Sequence, residues 1–166
     1  MFNFQRASIL AFIACVTLIA SCVGDKKIAL NSNAGPVANQ ANENANTAKT
    51  NVEELGVLVN VPYEAEDIVW KEDVANRKLL AVLRFSPVDA AKLVAEAEKF
   101  RLPQPVNLAS ESWFPAELIA QSDLSGDDTL NGKSYAANNF LQDPYTVGSI
   151  VRIENTDYFV LEVSAK

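Results

Sequence analysis

The eight residues Lys78–Phe85, "KLLAVLRF", set the strongest condition on the fold. Written as a strand, they put Leu79, Ala81, Leu83 and Phe85 on one face and Leu80 and Val82 on the other, with Arg84 near the end. A strand that is apolar on both faces belongs inside a sheet and needs cover on both. The next residues, "SPVD" at 86–89, are a helix start: serine suits the N-cap, proline the first helical position, and aspartate the positive first turn. The helix is expected to run to about Phe100. Ala90, Leu93, Val94 and Ala97 form its apolar stripe, with Phe100 at its end, and Lys92, Glu96 and Lys99 point outward. Pro103 and Pro105 end it.

Other segments read less sharply. "LGVLVNV" (55–61) predicts a strand stopped by Pro62, and "DIVWKED" (67–73) a shorter one, followed by a turn at 76–78. "PVNLA" (105–109) reads as an edge strand, where a leading proline is tolerated. "WFPAELIAQ" (113–121) predicts a short helix started by Pro115, then a loop and a helical turn around 138–142. "SIVRIE" and "DYFVLEV" flank Asn155-Thr156 as a C-terminal β-hairpin. No internal repeat occurs. The expected class is α+β: a small, largely antiparallel sheet with helices packed on one face and a β-hairpin at the C-terminus.

Composition narrows the chemistry. The 166 residues carry a formal charge of -7 and no histidine, which removes the usual neutral-pH acid/base and the commonest metal ligand. The two cysteines, Cys15 and Cys22, both lie near the N-terminus, so the rest of the chain has no disulfide and no thiol nucleophile. Its 114 residues from 53 onward must be held by their core alone, and they are enough to do so.

The N-terminus reads as a targeting segment. One positive side chain, Arg6, precedes the apolar run "ASILAFIACVTLIA" at 7–20. At 14 residues it is short for a bilayer span, which needs about 20. A basic start, a short apolar stretch and small residues after it make a secretory signal. "IASC", ending at Cys22, resembles the lipobox of bacterial lipoproteins. The resemblance covers about the first 22 residues. It implies cleavage before Cys22, acylation of its thiol and of the new amine, and a mature chain held on a membrane by lipid, since each buried methylene contributes about 0.8 kcal/mol. Val23 follows the cysteine, in place of the aspartate that retains some such proteins at the inner membrane, so the outer membrane is favoured if the cell is Gram-negative.

The Asn/Ala-rich stretch "NSNAGPVANQANENANTAKTN" (31–51) has no aromatic residue and cannot offset the entropy of ordering. The expected organisation is a signal peptide at 1–21, a lipidated cysteine and flexible tether at 22–52, and a single domain at 53–166. A coil of the tether's length reaches on the order of 30 Å.

Candidate chemistry is sparse. "SGDDTLNG" (125–132) resembles one unit of the calcium-binding β-roll repeats, but a single copy supplies only a fraction of the six to eight oxygens calcium wants. Tested as an EF-hand, Asp123, Ser125 and Asp127 fit the first ligand positions, but Asp128 stands where glycine is needed and Ser134 where a glutamate is needed. Asp123, Asp127 and Asp128 are thus weak calcium candidates in what reads as a solvated turn. Residues 53–166 hold 19 acidic and 10 basic side chains. A carboxylate pair could run a glycosidase-type mechanism only if two acids converge on a cleft, which sequence does not reveal. Trp70, Trp113 and Tyr63 are the candidate binding aromatics, as a platform for sugar or peptide, against the plainer reading that they fill the core. The negative balance argues against nucleic acid, and no cofactor is expected. The leading expectation is a lipid-anchored envelope protein with a non-enzymatic domain that binds a protein, a basic envelope protein by charge. A peptidoglycan- or polysaccharide-binding module is the alternative, and a carboxylate-dependent hydrolase comes last.

Overall fold

The computed structural model describes residues 47–166. The signal segment, Cys22 and most of the tether lie outside the described residues. The element order is α1 (Val52–Leu58), β1 (Ala65–Asp73), β2 (Lys78–Phe85), α2 (Pro87–Ala97), β3 (Gln104–Ala109), α3 (Ala116–Ser125), β4 (Thr129–Ala136), β5 (Tyr145–Ile153) and β6 (Tyr158–Ala165). The six strands form one sheet in the order β1-β2-β6-β5-β4-β3, and every neighbouring pair is antiparallel. The fold is α+β, and β5 and β6 make the C-terminal hairpin.

β2 sits where its sequence requires. Leu79, Ala81, Leu83 and Phe85 enter one core, and Val82 with Leu80 the other. β6 divides the same way: Phe159, Leu161 and Val163 face the first core, Tyr158 and Val160 the second. Helices therefore cover both faces of the sheet, which corrects the expectation of helices on one face. α1 and α2 close the first core through Leu55, Ala90, Leu93 and Ala97. α3 closes the second through Leu118, with Phe114 from the loop before it. The physical reason is already in β2, since one layer of helices would leave Leu80 and Val82 in water.

The segment 55–61 is not a strand. Val52–Leu58 is a helix, because Asn51 caps it: its Oδ1 accepts the Glu54 N–H at 2.9 Å. Glu53 and Glu54 add charge that suits the first turn. Only Leu55 is buried along it, and Val59 follows at its end. Ordered structure also starts before residue 53. Lys49 exchanges two backbone hydrogen bonds with Trp70 on the outer edge of β1, at 2.8 and 2.9 Å. The last tether residues thus cover part of that sheet edge.

The other edge is blunted differently. Ser110 N donates to Asp128 O at 2.9 Å, one step beyond the Ala109–Thr129 pair. By antiparallel alternation, Val106 and Leu108 then bond inward to β4, and Pro105, Asn107 and Ala109 turn their backbone outward. A proline in that row offers an incoming strand no donor.

α2 is capped as expected. Ser86 Oγ accepts the Asp89 N–H at 3.2 Å and Pro87 opens the helix. It ends at Ala97 rather than Phe100. The N–H groups of Lys99 and Phe100 turn back three residues, to Glu96 and Ala97, and this tighter turn rolls Phe100 out to 55% exposure. β4 occupies residues that read as loop, with Leu130 and Tyr135 entering opposite cores.

Candidate functional site

The three candidate aromatics do not form a platform. Trp70 is fully buried in the first core, its Nε1 donating to Asn51 O at 3.1 Å, with Lys49 Nζ 4.9 Å from its ring centre. Trp113 lies against the second core, on the opposite face of the sheet. Its ring meets Phe114 edge-on at 4.9 Å, Lys71 Nζ stands 5.4 Å from it, and its Nε1 donates to Glu111 at 2.6 Å. Tyr63 alone borders an open groove. The platform expectation is corrected for Trp70, which fills the core, and for its pairing with Trp113.

Residues 122–129 make a helix-to-strand connection. Ser125 ends α3, and Gly126 takes the left-handed conformation (φ 79°) that closes the helix, its N–H donating to Asp123 O at 3.3 Å. Asp127 Oδ1 is hydrogen-bonded with Ser125 Oγ and Thr129 Oγ1, each at 2.7 Å, and accepts the Thr129 N–H at 3.3 Å. These bonds, those of Ser125 first and then Thr129, hold the Asp127 carboxyl below its ordinary pKa. Asp128 turns the chain at φ 55° and its carbonyl accepts from Ser110. One oxygen of Asp127 is thus occupied by protein donors, and Asp123 is exposed. Among the described residues, no group of three or more His, Cys, Asp or Glu side chains is arranged to hold a metal ion.

A recurring device was not visible in the sequence: three of the four tyrosines donate to a carboxylate from a distant element. Tyr145 bonds Glu72 at 2.6 Å and Tyr63 bonds Glu96 at 2.8 Å. Tyr158 Oη lies 3.4 Å from Asp67 and 3.5 Å from Glu117. Burial, then the carboxylate, pushes the Tyr145 phenol well above its ordinary pKa. Burial followed by the Glu117 charge raises Tyr158 above its ordinary pKa. At Tyr63 the hydrogen bond to Glu96 is the first cause. Asp67 and Glu117 both approach the Tyr158 phenol, and the Arg84 guanidinium lies 5.6 Å from its ring.

Open clefts also lie among the described residues. One, of about 520 Å³, lies at the β5–β6 turn between Lys133, Tyr135, Arg152 and Asn155. Its Arg152 is already held by Asp157 at 2.9 Å and by Thr156 O at 3.3 Å. Another, of about 460 Å³, lies between α2 and the segment after α1, with Asn60, Tyr63, Glu96, Phe100 and Asn139 on its walls.

The stretch of chain that carries α3 is acidic. Residues 110–128 carry Glu111, Glu117, Asp123, Asp127 and Asp128 and no lysine or arginine. α3 buries Leu118 and Ser122, while Glu117, Ala120 and Asp123 are exposed and Leu124 is 89% exposed. Comparison with protein-family models, with curated proteins and with solved structures gives no match.

Proposed function

We propose that the protein is a lipid-anchored bacterial cell-envelope protein, held by acyl chains on Cys22, whose domain is a non-enzymatic binding module for a basic protein partner. The "IASC" motif supports the anchor. The observation that carries the binding reading is the acidic surface of α3. A run of 19 residues, 110–128, holds five acids and no base, and within it Leu124 stands almost wholly in water. An exposed leucine in a stretch of chain with a single sign of charge suits a basic partner, whose charge steers encounter and whose apolar groups cover the leucine on contact. Nothing in the second core needs Leu124 outside, because Leu118 and Phe114 already close that core.

The test is a crosslinked pull-down from envelope extract with the full chain in detergent as bait, beside the double variant Asp123→Lys/Leu124→Lys. The expected result is one dominant basic protein that salt releases and the variant fails to capture, with palmitate label on the wild-type chain and none on Cys22→Ser. Equal capture by the variant would sink the α3 reading. Retention on wall polymer alone would sink the protein-partner reading.

A further inference from the structure

We propose that the groove between α2 and the segment after α1 binds a neutral oligosaccharide. The site is independent of α3, since it lies on the other face of the sheet. Its polar groups are tied to one another first. Tyr63 Oη donates to Glu96 Oε1 and Asn139 Nδ2 to Glu96 Oε2, both at 2.8 Å. Asn60 Nδ2 donates to the Asn139 carbonyl at 2.6 Å.

This network leaves both acceptors and donors. Each Glu96 oxygen has a lone pair to spare, as does the Tyr63 phenol oxygen. Among the described residues, no protein donor reaches Asn60 Oδ1 or Asn139 Oδ1. Asn60 Nδ2 and Asn139 Nδ2 each keep a second N–H and Lys99 adds an ammonium, so a ligand matched to this wall must both donate and accept.

A polyol hydroxyl does both, whereas a cation has no acceptor. Lys99 lines the groove, and Lys92 Nζ stands 5.6 Å from the Tyr63 ring centre. Asp89 holds Lys92 at 2.7 Å, so Lys92 and Lys99 stand against Asp89 and Glu96, and this balance of charge suits a neutral ligand. The apolar wall agrees. Phe100, 55% exposed, and Pro62 flank the polar groups and offer flat surface to the C–H face of a sugar ring. The α2 C-terminal turn brings Phe100 here, and no buried residue requires its exposure. The volume of about 460 Å³ falls in the range of small-molecule sites, roughly 300–1,000 Å³. The polar side chains are fixed before binding, which spares the ligand part of the ordering cost.

The experiment is calorimetric titration of the full chain in detergent with three tetrasaccharides: β-1,4-linked N-acetylglucosamine, β-1,4-linked glucose and α-1,4-linked glucose. Phe100→Ala and Glu96→Gln are measured beside the wild type. At least one sugar should bind, and Phe100→Ala should weaken it by about tenfold, with Tm unchanged because Phe100 is outside both cores. Tyr63→Phe keeps the ring and frees Glu96, and should weaken binding without abolishing it. No heat with any of the three sugars, or binding indifferent to both Phe100 and Glu96, would overturn the proposal. Either result leaves the α3 surface untouched, since the Asp123→Lys/Leu124→Lys variant retains the whole groove.

Discussion

Trp70→Phe tests whether Trp70 is structural. The indole is fully buried and its N–H reaches Asn51 O at 3.1 Å, the carbonyl of the residue that caps α1. Phenylalanine keeps most of the apolar surface but cannot donate, so the substitution removes one hydrogen bond of about 1 kcal/mol. The smaller ring also leaves part of the Trp70 site unfilled, costing about 1–2 kcal/mol more in a core that relaxes only partly. The sum is about 2–3 kcal/mol. In a domain of this size each kcal/mol moves Tm by about 4 °C, so Tm should fall by about 8–12 °C. Residues 47–166 can be melted by far-UV circular dichroism, with Trp113→Phe beside them. Trp113 sits at the margin of the second core and its N–H goes to an exposed glutamate, so its variant should lose less than half as much. Tryptic cleavage after Lys49 should also speed up in Trp70→Phe, because Lys49 and Asn51 are docked on this residue. A fall in Tm below about 3 °C, or an equal fall in the two variants, would refute the burial and the Asn51 bond together.

Alkaline pH should unfold the domain as its tyrosines ionise. All four phenols, Tyr63, Tyr135, Tyr145 and Tyr158, are raised above the ordinary value of 10.0, and burial is the first cause at the last three. A raised folded pKa gives stability that is whole below the unfolded pKa and is lost as pH climbs through the folded one. Phenolate absorbance at 295 nm should therefore lag pH 10 and rise together with loss of circular dichroism, and free titration of four tyrosines in a folded chain would contradict the burial. At the acid end, the depressed Asp127 carboxyl works with opposite sign. Its contribution is present above the unfolded pKa and declines as pH falls through the folded one, so Asp127→Asn should flatten the acid limb of the Tm profile. Millimolar calcium should move Tm by less than about one degree, since an ion that bound only the folded loop would raise it, and a rise of several degrees that Asp127→Asn abolishes would reverse the reading of this loop.

The strands that could be read ahead are those whose two faces differ in burial or are both apolar. β2 carried its own face assignment, and the pattern at 149–163 gave the β5–β6 hairpin. β4 was illegible for a packing reason. Its Asn131-Gly132 looks like a turn, yet a Cβ on Gly132 would lie 2.6 Å from Val151 Cγ1 and 2.7 Å from the Arg152 carbonyl. The glycine is there because β5 runs too close for a side chain, and only the neighbouring strand reveals that. α1 was misread because its β-branched residues outweighed one local signal, the cap from Asn51 to Glu54. Its burial is slight, so no apolar stripe could mark it as helix.

The groove was harder to foresee than the fold, because its parts come from three separated stretches. Asn60 and Tyr63 follow α1, Glu96 and Phe100 close α2, and Asn139 sits in the turn after β4. Tyr63 could be singled out by type, but nothing local to it points to Glu96, 33 residues away. In the sequence Glu96 and Lys99 read as the solvated face of an amphipathic helix, and Glu96 holds two hydrogen bonds only because the segment after α1 and the turn after β4 fold across that face. A polar residue on the outward side of a helix is ordinarily silent. Here it becomes part of a wall because the two connections that cross it, not the helix, bring their own hydrogen-bonding groups. The features that set Trp70 and Trp113 apart in the chain, size and rarity, are those a disulfide-free core of this length spends on packing. The working surface is therefore to be sought among the smaller polar residues and among exposed apolar side chains, Phe100 and Leu124 with them, that the cores did not take up.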